Sequence, residues 1–235
     1  SDIAGVKTFD SDLMKFYNFL KRGIGAKISN IHKSNNDILH SFSCLPSRFE
    51  NYINKSSYDL INLHWVQGEM LSIESIGRIK KPIIWTMHDT WPFCGSEHYP
   101  LDHFDKRYID GYKKINRNDK YSFFDFDRWC WERKKRSWKN NIHIVCPSNW
   151  LGNCAKESML MKNWNINIIP NTLDTSIFKP WPKLISRKLF NLPKDKKIIL
   201  FGAIGGTANF IKGWDILSKS LDKIYSQDKD CIAVI

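Results

Sequence analysis

The chain has 235 residues, of which 42% are hydrophobic and 26% charged. This length suits one large domain or one and a half smaller ones, and the composition excludes wholesale disorder. The formal net charge of +12 favours anionic partners, such as nucleic acid, anionic lipid or phosphorylated ligands, without choosing among them. The ten Trp either fill a core or line carbohydrate sites and membrane interfaces.

Short apolar runs alternate along the chain with longer amphipathic ones, and most of the short runs are nearly continuous, as in parallel strands covered on both faces. The predicted strands are Tyr58–Leu63, Pro82–Met87, Ile142–Cys146, Ile166–Ile169, Lys197–Ala203 and Cys231–Ile235. Helices are predicted at residues 13–20, 73–79, 124–139, 184–191 and 217–224. This alternation predicts a doubly wound α/β sheet.

A proline-rich segment marks a domain boundary. Pro170, Pro180 and Pro182 punctuate the chain before a new strand begins at Lys197. We therefore predict a first domain at residues 1–182 and a second at residues 183–235. The second region is small for an α/β sheet to close its own core, and it ends in a strand. We expect that most of the second domain, and the first strand of the first domain, are missing.

The six cysteines are scattered and include no Cys-x-x-Cys pair, so neither a disulfide framework nor a zinc site is spelled out. Cys94, His98 and His103 could be drawn as metal ligands, but a fourth ligand is not obvious. We expect reduced thiols in a cytoplasmic protein without a bound metal. No apolar run approaches the roughly 20 residues that cross a bilayer, and no signal peptide is evident, which favours a soluble or peripheral protein.

Polar segments follow two predicted strands, at residues 62–65 and 86–93. Ligands of open α/β sheets bind beyond the carboxyl ends of the strands, so His64, Trp65 and His88 are well placed to contact one. A histidine at a strand end is as often bonded to a neighbouring loop, and both interpretations stay open. Asp89 follows His88 directly, and neighbours on an extended segment face opposite ways, so the two cannot reach one atom.

Two further segments carry weaker signals. The predicted helix at residues 124–139 mixes aromatics with cations, which suits an anionic membrane surface, a phosphate backbone or a solvated basic face with its aromatics in the core. At residues 201–213, a strand leads through a glycine-rich loop to a helix start, where free N–H groups and Lys212 suit a phosphate. A purely structural turn explains this loop equally well.

Several motifs occur in a fixed order along the chain. The first are Asn-Leu-His-Trp at 62–65 and Trp-Thr-Met-His-Asp-Thr-Trp-Pro-Phe-Cys-Gly at 85–95, followed by Glu-His-Tyr at 97–99 and Pro-Ser-Asn-Trp-Leu at 147–151. The later ones are Ile-Pro-Asn-Thr-Leu-Asp at 169–174 with Phe-Lys-Pro at 178–180, and Phe-Gly-Ala at 201–203 with Lys-Gly at 212–213. Together they resemble the retaining glycosyltransferases of family 4, in particular the branch that builds bacterial surface polysaccharides such as O-antigen. The resemblance covers residues 58 to 220 and implies the GT-B fold, with two facing Rossmann-like domains.

The resemblance implies roles for individual residues. His88 matches the histidine that contacts the donor sugar, and Lys212 matches the lysine that holds the donor diphosphate, with Gly202 and Gly205 in its loop. Asn171 matches the Pro-Asn-Gly-x-Asp junction, where Thr172 replaces Gly. The acceptor side would include Gly5, His64, Trp65, Asp89, Trp91, Glu97 and His98, with Asp89 and Trp91 either facing the acceptor or shaping the loop. The basic helix would dock to anionic lipid through Trp129, Arg133, Lys134, Lys135 and Arg136.

The implied reaction moves a sugar from a nucleotide sugar to a glycan hydroxyl, carried on a polyprenyl diphosphate at the inner membrane face, with retained configuration and no cofactor or metal. Asp125 and Asp127 form an Asp-x-Asp pattern that we interpret as chance. Ala203 stands where the family often has Arg, and the paired-glutamate segment of the donor site would lie beyond residue 235. The alternatives are an inactive fragment that acts as a binding module, and a nucleic-acid-binding domain, for which no motif is recognised.

Overall fold

The computed structural model describes residues 12–31, 38–47, 49–100, 105–117, 124–138 and 142–235. The chain divides into two compact units, and the division lies between Asn171 and Thr172. This division falls within the proline-rich segment, directly after Pro170 and Asn171, whereas the predicted boundary followed Pro182. Gly5 and His103 lie outside the described residues.

The first unit is built on a sheet of four parallel strands in the order β1-β2-β3-β4. The strands are β1 (Ile61–Leu63), β2 (Ile83–Thr86), β3 (Ile142–Cys146) and β4 (Ile166–Ile168). All four occupy predicted positions, but β1 begins three residues later than predicted. Its first bonded partner is Pro82, whose carbonyl accepts from the N–H of Ile61, so the pairing starts only there.

Helices connect and cover these strands. They are α1 (Asp12–Ile31), α2 (Phe49–Lys55), α3 (Ile73–Gly77), α4 (Arg107–Asp110), α5 (Phe126–Ser137) and α6 (Asn149–Glu157). Side-chain oxygens cap three of them, at Ser72 for α3, Asp125 for α5 and Ser148 for α6. Because parallel strands connected by helices point the same way, the residues after β1, β2 and β3 share one edge of the sheet.

Three tryptophans form the centre of the first unit's core. Trp85 on β2, Trp91 in the following loop and Trp138 after α5 are all buried, with ring centroids 5.2 to 6.3 Å apart. Trp138 also donates its indole N–H to the carbonyl of Ile73, which fixes α3 against the end of α5. These three therefore fill the core, whereas Trp65 and Trp150 are exposed.

The second unit contains helix α7 (Lys183–Leu189), strand β5 (Lys197–Leu200), helix α8 (Trp214–Gln227) and strand β6 (Cys231–Val234). The two strands are parallel, with Lys197 opposite Cys231, and α8 is the crossover between them. Each strand is shorter than predicted, because the ladder stops at the pair Leu200 and Val234 where the glycine-rich loop begins.

The chain thus has an α/β fold with a parallel sheet flanked by helices, which is compatible with a Rossmann-like arrangement. Of the helices in the described part of the chain, none is long and apolar enough to cross a membrane.

Candidate functional site

Two histidines meet at the carboxyl edge of the sheet. His64 follows β1 by one residue and His88 follows β2 by two, and both side chains are exposed. His64 Nδ1 lies 2.9 Å from His88 Nε2, and the ring centroids are 5.2 Å apart. On its other side, His64 Nε2 lies 3.2 Å from Asn62 Nδ2. The structure therefore brings two predicted site residues into direct contact where ligands of such sheets bind.

The next residue after each histidine forms a second link between the two strand ends. Trp65 donates its indole N–H to Asp89 Oδ2 over 3.0 Å, although its ring is 46% exposed. Asp89 Oδ2 also lies 2.6 Å from His98 Nδ1, and His98 Nε2 lies 2.8 Å from Ser41 Oγ. This buried chain of Asp89, His98 and Ser41 anchors Trp65 from beneath and holds its orientation.

Four predicted acceptor contacts prove to be buried. Asp89, Trp91, Glu97 and His98 are each at most 5% exposed. They do not present their side chains to a ligand, which corrects the prediction that they contact an acceptor. Their polar groups satisfy one another instead, as burial requires, and they shape the loop under the histidine pair. Among the predicted acceptor-side residues that the structure describes, His64 and Trp65 remain accessible.

Glu97 is a buried carboxyl in this loop. The Tyr112 hydroxyl donates to Glu97 Oε1, and the N–H of Gly95 lies 2.8 Å from the same hydroxyl. Burial, reinforced by the negative charge of Asp127, raises the pKa of Glu97 well above its ordinary value. Burial and the neighbouring Glu97 likewise raise the pKa of Tyr112. The pair is therefore most stable when the carboxyl is protonated and neutral.

Glu97→Gln should change the pH dependence of stability. The folded carboxyl keeps its proton at pH values where the unfolded chain loses it, so its stabilising contribution is complete below about pH 4.3 and declines as pH rises. Gln mimics the protonated acid and keeps the acceptor for Tyr112. In urea unfolding, the free energy of unfolding of the variant should rise relative to that of the wild type by about 1.4 kcal/mol per pH unit, between the unfolded and folded pKa values of Glu97. Parallel stability profiles from pH 4 to 8 would contradict the neutral carboxyl.

Lys134 of α5 is completely buried, which corrects the prediction that it faces a membrane. Its Nζ donates to the carbonyls of Trp91, Cys94 and Gly95 at 2.5, 3.1 and 2.6 Å. It also lies 3.7 Å from the centroid of the Trp91 ring, where a cation is attracted to the π face. Burial lowers the pKa of Lys134 to about 8, so the ammonium is still charged at neutral pH and each N–H has an acceptor. Lys134 fixes the loop that follows His88.

Arg133 is buried as well, and the prediction that it faces a membrane is wrong for the same reason. Its guanidinium makes a bidentate pair with Glu74, with both N–O distances at 2.7 Å, and donates to the carbonyls of Phe42 and Ser43. Lys135 and Arg136 are exposed, and Trp129 is half-buried beneath the Arg133 guanidinium. For these three residues, contact with a membrane stays a prediction.

The second unit presents the predicted phosphate loop on its own surface. Gly202, Gly205 and Lys212 are exposed between β5 and α8. Gly205 has φ of 85° and Gly213, which precedes α8, has φ of 70°, in the left-handed region that favours glycine. The backbone conformation therefore favours glycine at both positions. Asn171, at the end of the first unit, is exposed too.

The Asp-x-Asp pattern has structural roles. Asp125 caps α5 through the N–H of Arg128 and pairs with Arg107 at 2.7 Å. Asp127 accepts the hydroxyl hydrogen of Ser96 and lies 3.5 Å from His40 Nδ1. Across the described ranges, no group of three or more His, Cys, Asp or Glu side chains is arranged to hold a metal ion.

Sequence reasoning missed Ser41 and Tyr112, and it misplaced Lys134. Ser41 lies 57 residues before its partner His98, and Lys134 lies 39 residues after Gly95. No local pattern links residues so far apart. The available signal was the concentration of polar residues in an otherwise apolar loop at residues 86–99, since buried polar groups need partners.

The sequence matches no protein-family model, and no curated protein resembles it significantly.

Proposed function

We propose that the chain belongs to a nucleotide-sugar-dependent retaining glycosyltransferase of the GT-B type. The observation that supports this most is the contact between His64 and His88, which are exposed and bonded at 2.9 Å at the carboxyl edge of a parallel sheet. The motif carrying His88 is one of several ordered motifs whose combination makes the resemblance specific. The buried network beneath it is the kind of support that a positioned binding residue requires.

In this reaction, the bond between the sugar C1 and the nucleotide diphosphate oxygen breaks, and a bond forms from C1 to an acceptor hydroxyl oxygen. The hydroxyl proton passes to the departing diphosphate, and the anomeric configuration is retained. His88 contacts the donor sugar. Lys212 and the N–H groups of the glycine-rich loop stabilise the negative charge that develops on the leaving group, and Asn171 contributes to the donor site. His64 and Trp65 lie on the acceptor side.

We further propose a glycan acceptor carried on a polyprenyl diphosphate, in the synthesis of lipopolysaccharide or capsule at the inner face of the plasma membrane. Lys135 and Arg136, both exposed near the end of α5, would contact anionic lipid. Each of these exposed cations contributes about 1 kcal/mol of attraction near an anionic membrane surface. The net charge of +12 acts in the same direction.

A titration of the 235-residue chain with UDP-glucose, UDP-N-acetylglucosamine and GDP-mannose tests the proposal. Calorimetry should show one of them binding more tightly than its free nucleoside diphosphate, because His88 adds a contact to the sugar. Binding of the diphosphate alone with no gain from the sugar would favour the alternative of a binding module without transfer activity. No binding by any compound would favour the alternative of an inactive fragment that lacks a donor site.

A further inference from the structure

Four side chains form a continuous row at the carboxyl ends of β1 and β2; Asn62, His64 and His88 are exposed, and Thr86 is half-buried. Thr86 Oγ1 lies 3.4 Å from Asn62 Oδ1, Asn62 Nδ2 lies 3.2 Å from His64 Nε2, and His64 Nδ1 lies 2.9 Å from His88 Nε2. Each contact is a hydrogen bond and therefore needs one donor and one acceptor. A hydroxyl can donate or accept, so the orientation of the Asn62 amide, with its oxygen towards Thr86 and its nitrogen towards His64, sets the direction of the other bonds.

The row has one direction. The Thr86 hydroxyl donates to the amide oxygen of Asn62, so the amide nitrogen of Asn62 faces His64. An amide nitrogen only donates, which makes His64 Nε2 an acceptor and leaves the proton of the neutral ring on Nδ1. His64 Nδ1–H then donates to His88 Nε2, so the neutral His88 ring must carry its own proton on Nδ1.

A network of side chains beside the row holds the two strand ends together. One residue beyond each histidine, Trp65 donates to Asp89 at 3.0 Å, and Asp89 is held in turn by His98 and by the N–H of Trp91. Asp89 and His98 are buried. The two strand ends are therefore joined twice, by the exposed contact between the histidines and by this buried network. The distance between the two imidazoles is therefore set by the fold.

We propose that His64 is a positioning residue that fixes the tautomer of His88, so that His88 presents Nδ1–H to its ligand. A donor at this position selects an oxygen that accepts a hydrogen bond, such as a sugar hydroxyl, ring oxygen or glycosidic oxygen. The identity of the ligand as the sugar of a nucleotide sugar rests on the proposed function, whereas the tautomer does not.

Asn62→Asp is the decisive variant, because it has the same shape and lies on the surface. A carboxylate oxygen replaces the amide nitrogen that faces His64, and this oxygen only accepts. His64 must then donate through Nε2–H and accept at Nδ1, and His88 must donate through Nε2–H. The substitution should thus reverse both tautomers. Asn62→Leu, which neither donates nor accepts, should leave a mixture of tautomers in both rings.

Long-range ¹H–¹⁵N NMR at pH 8, where an ordinary imidazole is neutral, distinguishes the two ring nitrogens. His64→Ala and His88→Ala identify the signals by their disappearance. We expect Nδ1–H on both rings in the wild type and Nε2–H on both in Asn62→Asp. A wild-type His88 protonated on Nε2, or the same tautomer in both proteins, would overturn the inference.

The same samples are titrated with UDP-glucose, UDP-N-acetylglucosamine and GDP-mannose. A nucleotide sugar that binds the wild type should bind Asn62→Asp about tenfold more weakly, because the donor at His88 Nδ1 is lost. Reversed tautomers with unchanged affinity would overturn the recognition role of His88 Nδ1–H. Reversed tautomers with no binding to either protein would support the effect of His64 on the His88 tautomer and favour the alternative of an inactive fragment over the proposed function.

Discussion

Replacing Lys134 by Met is expected to destabilise the first unit by about 3–5 kcal/mol. Met has a similar length and fills the same space, but it donates no hydrogen bond. The carbonyls of Trp91, Cys94 and Gly95 would each lose a partner that lies within 3.1 Å. Unsatisfied buried carbonyls cost about 1–3 kcal/mol each, and the attraction of the ammonium to the Trp91 ring is lost in addition.

Urea unfolding followed by circular dichroism measures this loss, with Lys135→Met as the matched control. Lys135 is the next residue on the same helix and is exposed, so its replacement should change stability by less than about 0.5 kcal/mol. If both variants unfold at the same urea concentration, the three carbonyl bonds do not stabilise the fold.

The cost of Lys134→Met should also increase with pH. Burial lowers the pKa of Lys134 to about 8, whereas the unfolded chain releases this proton near pH 10.4. Between these values the unfolded state binds more protons, so the contribution of Lys134 to stability rises by about 1.4 kcal/mol per pH unit. The contribution of Lys134 to stability declines again as the pH is lowered through 8. Unfolding curves at pH 7, 8 and 9 should therefore diverge between wild type and variant.

His88→Ala is expected to lower sugar transfer by about a hundredfold while leaving binding of the free nucleoside diphosphate unchanged. The substitution removes the proposed contact to the sugar and also the acceptor for His64 Nδ1. The fold should persist, because His88 is exposed and its neighbour Asp89 keeps the buried bonds to Trp65 and His98. Release of UDP or GDP from a bound nucleotide sugar provides the rate.

His143→Ala is the matched control for this experiment. His143 is an exposed histidine on β3, but it lies near the beginning of that strand rather than beyond its carboxyl end. Its replacement should leave turnover unchanged. Equal turnover in His88→Ala and the wild type would remove His88 from the site, and an equal loss in both variants would indicate a general effect on folding.

The sequence alone determined the strands and their parallel arrangement. Ile142–Cys146 was predicted to the residue, because a buried parallel strand is a continuous apolar run with a sharp beginning and end. It also predicted which edge of the sheet would bind a ligand, since residues that follow parallel strands must share one edge. His64 and His88 were singled out on that ground, and the structure brings them within 2.9 Å.

Only the tertiary structure decided which of the polar and aromatic residues face solvent. Arg133 and Lys134 belong to a basic run that is typical of an exposed helix face. In the structure, however, their charges are satisfied by Glu74 and by backbone carbonyls far away in sequence. Asp89 and His98 read as ligand contacts but satisfy each other in the interior. Burial of a polar group depends on partners that the fold supplies from distant segments, and a local pattern carries no record of them.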